Sequence, residues 1–76
     1  MAISAYVFIN TDAGKVDKVL IKISKLPGVK EAHIVTGHYD IIVRLEAADL
    51  LKVGEIVAEK IHEIDGVRST ATSIVV

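Results

Sequence analysis

The chain has 76 residues, with nine Lys and Arg against ten Asp and Glu, no cysteine and a hydrophobic fraction of 51%. One small domain is the most this length supports, and the lack of cysteine removes disulfides, thiolate metal ligands and a thiol nucleophile together. The near-neutral charge lacks the clustered basic footprint of an autonomous nucleic-acid binder, and no apolar run approaches the roughly 20 residues that cross a bilayer.

Met1-Ala2-Ile3-Ser4 carries no basic leader ahead of its apolar stretch, so no signal peptide is expected and the cytoplasm is the expected location. From Ala2 to Asn10 the chain is rich in Ile, Val, Tyr and Phe, which suits a strand; Thr11-Asp12-Ala13-Gly14 breaks it. Val16, Val19, Leu20, Ile23 and Leu26 then recur at helical spacing, with lysines on the opposite side. Pro27-Gly28 stops this helix by removing a donor and permitting positive φ. Val29 to Thr36 reads as a second strand, Gly37-His38 as a tight turn and Tyr39 to Glu46 as a third strand. Asp49 caps a second helix that runs to Gly66, with a buried stripe of Leu50, Val53, Val57, Ile61 and Ile64 flanked by Ile56. Val67 to Val76 is the last strand.

The segment Lys22–Arg68 contains an internal echo. Lys22-Ile23-Ser24-Lys25-Leu26-Pro27-Gly28-Val29-Lys30 matches Lys60-Ile61-His62-Glu63-Ile64-Asp65-Gly66-Val67-Arg68, an offset of 38 residues or half the chain. Two copies of a strand–helix–strand unit give the order βαββαβ. Two right-handed units side by side predict an α+β, ferredoxin-like fold. Its four-stranded antiparallel sheet has the first and third strands central and both helices on one face. Ala5, Val7 and Ile9 face the helices with Ile41, Val43 and Leu45. Tyr6, Phe8 and Ile42, beside Arg44, are left on the other face. An apolar patch of that extent reaches the roughly 300–600 Å² found on monomers, which predicts a symmetric face-to-face dimer through Tyr6, Phe8, Ile42 and Arg44.

These residues resemble the effector-binding domain of the Lrp/AsnC (feast/famine) transcription regulators, in a stand-alone form that covers residues 1–76. The resemblance rests on Leu26-Pro27-Gly28-Val29, on Thr36-Gly37-His38-Tyr39-Asp40, and on the ending Gly66-Val67-Arg68-Ser69-Thr70-Ala71-Thr72-Ser73-Ile74-Val75-Val76. The resemblance departs in one respect: full-length regulators carry an N-terminal helix-turn-helix, whereas here Met1 stands directly before the first strand, so no helix-turn-helix is expected. It also implies a dimeric α/β-barrel-like assembly, growing to an octamer or decamer ring, with full-length Lrp/AsnC relatives as further partners. A free amino acid is the implied effector, in transcription regulation or amino acid metabolism, with no direct contact to nucleic acid or membrane.

The site implied for that ligand comprises Thr36, Gly37, His38, Tyr39, Asp40, Thr70 and Thr72. An amino acid needs an acceptor for its ammonium group and donors for its carboxylate. Asp40 offers the first; the Gly37 amide and the Thr70 and Thr72 hydroxyls offer the second. Each also has a plain structural use: Gly37 as a positive-φ turn residue, Asp40 as a turn cap, Tyr39 as a packing residue and the threonines as strand formers. His33 and His38 lack a third ligand, so no metal and no cofactor are expected. His62 is expected to be solvated.

Two other readings use the same order of elements. An ACT-type amino-acid-binding domain would place its ligand at the loop after the first strand, where Asp12 and Gly14 stand. A small dimeric ferredoxin-like barrel enzyme would draw on His38, Tyr39 and Asp40, but adjacent strand residues point to opposite faces and do not converge. No catalytic residue is therefore assigned.

Overall fold

The β-branched run at the start of the chain forms β1, Ile3–Thr11, and its residues alternate between a buried and a more exposed face along the strand. The computed structural model describes residues 2–76. After β1 come α1 (Val16–Ser24), β2 (Val29–Ile34), β3 (Ile41–Ala47), α2 (Leu50–Glu55) and β4 (Val67–Ile74). The sheet order is β2-β3-β1-β4 and every neighbouring pair is antiparallel. The order of elements and the central placing of β1 and β3 are those expected from the pattern.

The half-chain echo is structural. β1 and β3 begin at Ile3 and Ile41, and β2 and β4 at Val29 and Val67, 38 residues apart in each case. Both helix exits make the same pair of hydrogen bonds: Leu26 N to Ile23 O and Val29 N to Leu26 O, then Ile64 N to Ile61 O and Val67 N to Ile64 O. Gly28 and Gly66 have φ of +91° and +102°. Gly28 is also pressed against the sheet, where a Cβ would lie 2.7 Å from the Glu46 carbonyl oxygen, a contact no larger residue makes without moving the backbone.

The core is the helix side of the sheet. Ala5, Val7, Ile9, Ile41, Val43 and Leu45 are fully buried there, beneath Val19 and Ile23 of α1 and Val53, Ile56 and Ile61 from the second helical segment. The second helical segment departs from expectation. Asp49 caps it as expected, its Oδ1 accepting from Lys52 N at 2.8 Å, but regular α-helix ends at Glu55 and Ile56–Ile61 continues as π-helix. His62 N donates to Val57 O, five residues back, as the wider turn requires. The wider turn places Ile56 and Ile61, five apart, in the core together. Leu50, expected in the buried stripe, instead lies on the first turn with 59% of its surface exposed. Val57 and Ile64 pack only partly against the core.

The other strand ends are shorter than the β-propensity implies. β2 stops at Ile34 rather than Thr36, and β3 starts at Ile41, leaving Tyr39 and Asp40 in the connection. Among the described residues, no helix is long and apolar enough to cross a membrane.

Candidate functional site

Both helices cover one face, so the opposite face of the sheet is open. By register it carries Tyr6 and Phe8 of β1, Ile42, Arg44 and Glu46 of β3, Glu31 and His33 of β2, and Ala71 of β4. Tyr6 is 40% exposed; Phe8 and Ile42 are half-buried even in the single chain. Part of the cover is the ring of Tyr39, which lies 5.2 Å from that of Phe8, tilted by 38°. The face is less uniformly apolar than Tyr6, Phe8 and Ile42 imply by themselves. Arg44 Nε donates to Glu31 Oε2 at 2.8 Å and its Nη1 donates to Glu46 Oε2 at 3.0 Å, while His33 Nε2 lies 3.3 Å from Glu31 Oε1. The hydrogen bond from Arg44, then that of His33, holds the Glu31 carboxyl below its ordinary range; Glu31, then Glu46, raises the Arg44 guanidinium.

The β2–β3 connection, residues 35–40, sits at one end of this sheet. Val35 N donates to Asp40 O at 2.9 Å and closes the loop, and Asp40 N donates to Ile9 O at 2.9 Å. The Asp40 carboxylate reaches across to β1: Oδ2 accepts from Thr11 N at 2.8 Å and from Thr11 Oγ1 at 3.3 Å. Thr11 is the buried polar residue among those described, so this clamp satisfies two groups that would otherwise be stranded at the end of β1. Asp40 is thus tied to a residue 29 positions away rather than only to its own turn. Its other oxygen, Oδ1, makes no hydrogen bond among the described residues. Gly37 has φ of +112°, with open space where a Cβ would stand, and Thr36, Gly37 and His38 are exposed.

Thr70 and Thr72 lie elsewhere. They pair opposite Ile9 and Val7 on β4, on the helix side of the sheet, and β1 separates them from the connection. Their side chains share the helix face with Ile9 and Val7, and β1 stands between their strand and the strands that carry the connection. Thr70 Oγ1 lies 2.7 Å from His62 Nε2 at the end of the second helical segment, so His62 is not merely solvated. His38, Tyr39 and Asp40 do not converge: one is exposed, one stacks on Phe8 and one holds Thr11. Near the other candidate loop, Asp12 N donates to Gly66 O, and Lys15 Nζ pairs with Asp65 Oδ2 at 3.0 Å. No cluster of three or more His, Asp or Glu suited to a metal ion occurs among the described residues.

Sequence reasoning missed Thr11, read only as a strand break, and the partners of Arg44. Glu31 and Glu46 flank it on β2 and β3, and only the strand register reveals that they face it.

A profile of the Lrp/AsnC ligand binding domain matches residues 4–76. An HTH-type transcriptional regulator of Pyrococcus furiosus is 45% identical over 74 residues, 93% of this chain and 49% of the regulator. One from Pyrococcus abyssi is 40% identical over 72 residues, 95% of this chain and 46% of that protein. The chain spans about half the length of these curated relatives. It also matches a homocitrate synthase of Sulfurisphaera tokodaii, 44% identical over 54 residues, 71% of the chain and 12% of the synthase. Among solved structures, FFRP-DM1 superposes with a TM-score of 0.93 at 35% identity, covering 97% of this chain and 99% of that one. AsnC of E. coli gives 0.90 at 30% identity, over 96% and 50%. A transcriptional regulator of Neisseria meningitidis, solved as an L-Met complex, shares the fold with a TM-score of 0.87 at 18% identity, over 97% and 49%.

Proposed function

The chain belongs to the Lrp/AsnC ligand binding domain family, and from that premise we propose that it is a non-enzymatic sensor of a free amino acid that acts through its own assembly. The reading is carried by the β2–β3 connection: Asp40 is anchored through one oxygen to Thr11, and the exposed Gly37 backbone stands open beside it. This arrangement is preorganised for a zwitterion, with a carboxylate for the ammonium group and bare amides for the carboxylate. Thr70 and Thr72 complete the site from a neighbouring chain, since their own chain holds them beyond β1.

Assembly begins at the open sheet face, where Tyr6, Phe8, Ile42 and Arg44 meet their counterparts in a symmetric dimer. Dimers then join into a ring of eight or ten chains at the seam that holds the ligand. Binding across a seam favours the assembled state by differential affinity alone. At about 100 times its dissociation constant a ligand contributes about 2.7 kcal/mol per site, enough to change the oligomeric state. The balanced charge, nine Lys and Arg against ten Asp and Glu, fits a chain that does not itself contact DNA. The matches to both HTH-type regulators and a homocitrate synthase fit a sensing unit that serves different neighbours. Co-assembly with full-length relatives in the cytoplasm follows from the same reading.

Calorimetry against the twenty amino acids, with amide shifts recorded, tests it. A hit perturbing Gly37–Asp40 and Thr70–Thr72, weakened by Thr72→Ala, is the expected result. Shifts confined to Asp12–Lys15 would assign an ACT-type site instead, and silence at millimolar concentration would remove the sensor reading.

A further inference from the structure

An apolar groove lies away from the β2–β3 connection, on the outer side of the second helical segment. Leu50, Leu51, Gly54 and Ala58 line it, bordered by Glu55 and Glu59. Leu50 and Leu51 are 59% and 75% exposed, although Val53 and Ile56 beside them are buried. Gly54 adds a second oddity. It sits inside a helix, where glycine is the weakest ordinary former, yet a Cβ there would meet nothing. Its own chain has no use for the missing side chain; a close approach from outside does.

The other helix carries the matching surface. On α1, Ile21 is 56% exposed and stands among the exposed lysines Lys18, Lys22 and Lys25, which have no ion-pair partner among the described residues. From Lys15 to Lys25 there are four lysines and one carboxylate; from Asp49 to Asp65 there are five carboxylates and two lysines. At the groove itself Glu55 is bonded to Lys52 at 3.3 Å, and Glu59 has no partner among the described residues. An apolar knob ringed by cations thus faces outward on one helix, and an apolar groove edged by carboxylates faces outward on the other.

We propose that the second helical segment of one chain receives α1 of a second copy, with Ile21 entering the groove of Leu50, Leu51, Gly54 and Ala58 while Lys18 and Lys22 meet Glu55 and Glu59. The contact is heterologous, since different surfaces meet, and it repeats from copy to copy. It is distinct from the open sheet face and does not depend on amino acid binding. Its exposed ion pairs make it weaken as salt rises.

Sedimentation velocity on the full chain without added amino acid, so that the ligand seam is not favoured, with circular dichroism as a folding control, tests the contact. Leu51→Asp and Ile21→Asp each reduce association beyond the sheet-face dimer at least tenfold. An equimolar mixture of the two regains mass, because each supplies the face the other lacks. Reversing charges provides a second route: Lys18→Glu with Lys22→Glu dissociates the larger species, and adding Glu55→Lys with Glu59→Lys restores it. Wild type no heavier than Leu51→Asp, or a mixture no heavier than its separate variants, would overturn the proposal and leave the groove to another partner or to none.

Discussion

The two faces of β1 are made from consecutive residues and have opposite fates. Ala5, Val7 and Ile9 are fully buried beneath the helices, whereas Tyr6, one position along, keeps 40% of its surface and shares its face with an Arg44–Glu31–Glu46 ion-pair set. From Ala5 to Ile9 and from Ile41 to Leu45 the covered face holds only aliphatic groups on the two central strands, with the polar Thr11 kept to the end of β1, so water is excluded and packing decides stability. The open face mixes aromatic area with charges that remain hydrated, so it tolerates water in the free chain and still offers a partner complementary chemistry. Under the proposed assembly, stability belongs to one side of the sheet and association to the other.

The contrast breaks most severely on the covered side. Ile9→Ala is expected to cost about 2–5 kcal/mol in urea unfolding, the range for an aliphatic truncation that leaves a cavity. Gly28→Ala follows at about 1–3 kcal/mol, because the positive φ and the Glu46 carbonyl 2.7 Å away both resist a Cβ. On the open side, Tyr6→Ala is expected to leave the isolated fold within about 0.5 kcal/mol. It should raise the concentration for dimer formation roughly tenfold, about 1.4 kcal/mol. Equal effects of Ile9→Ala and Tyr6→Ala on unfolding, with unchanged sedimentation, would erase the distinction between the faces.

Gly54→Ala sharpens it from outside the sheet. With open space at that Cβ, it should raise stability by up to about 1 kcal/mol, read as an increase in thermal midpoint. The smallest effect is a pH dependence. Glu31 is depressed in the folded chain from an ordinary value of 4.5, so its contribution is present above that value and is lost as pH falls through the folded one. The stability gap between wild type and Glu31→Gln should therefore close on acidification below about pH 4.5. A gap that widened there would show that Arg44 does not hold the carboxylate.

Much of the architecture was legible because it follows from local rules repeated twice. The motif around Gly28 and Gly66 announced two helix exits, and both glycines do adopt positive φ with the same hydrogen bonds around them. The candidate site was legible only as a set of residue types. Asp40 reads as a turn residue, yet its partner Thr11 lies on another strand, and Thr70 bonds His62 across a helix–strand junction. The helical period assigned Leu50 and Val57 to the core, but Leu50 stands exposed on the first turn and the π-helical Ile56–Ile61 buries Ile56 in place of Val57.

The element order, the central pair of strands and the β1 residues that face the helices were all readable from local pattern, because strand alternation and helix-stopping glycines act over a few residues. That Asp40 clamps Thr11, that Arg44 bridges Glu31 and Glu46, and that Thr72 stands beyond β1 from Gly37 emerge once the strands have paired. Each of these depends on strand register and on helix phase, which are set when distant segments compete for one buried face.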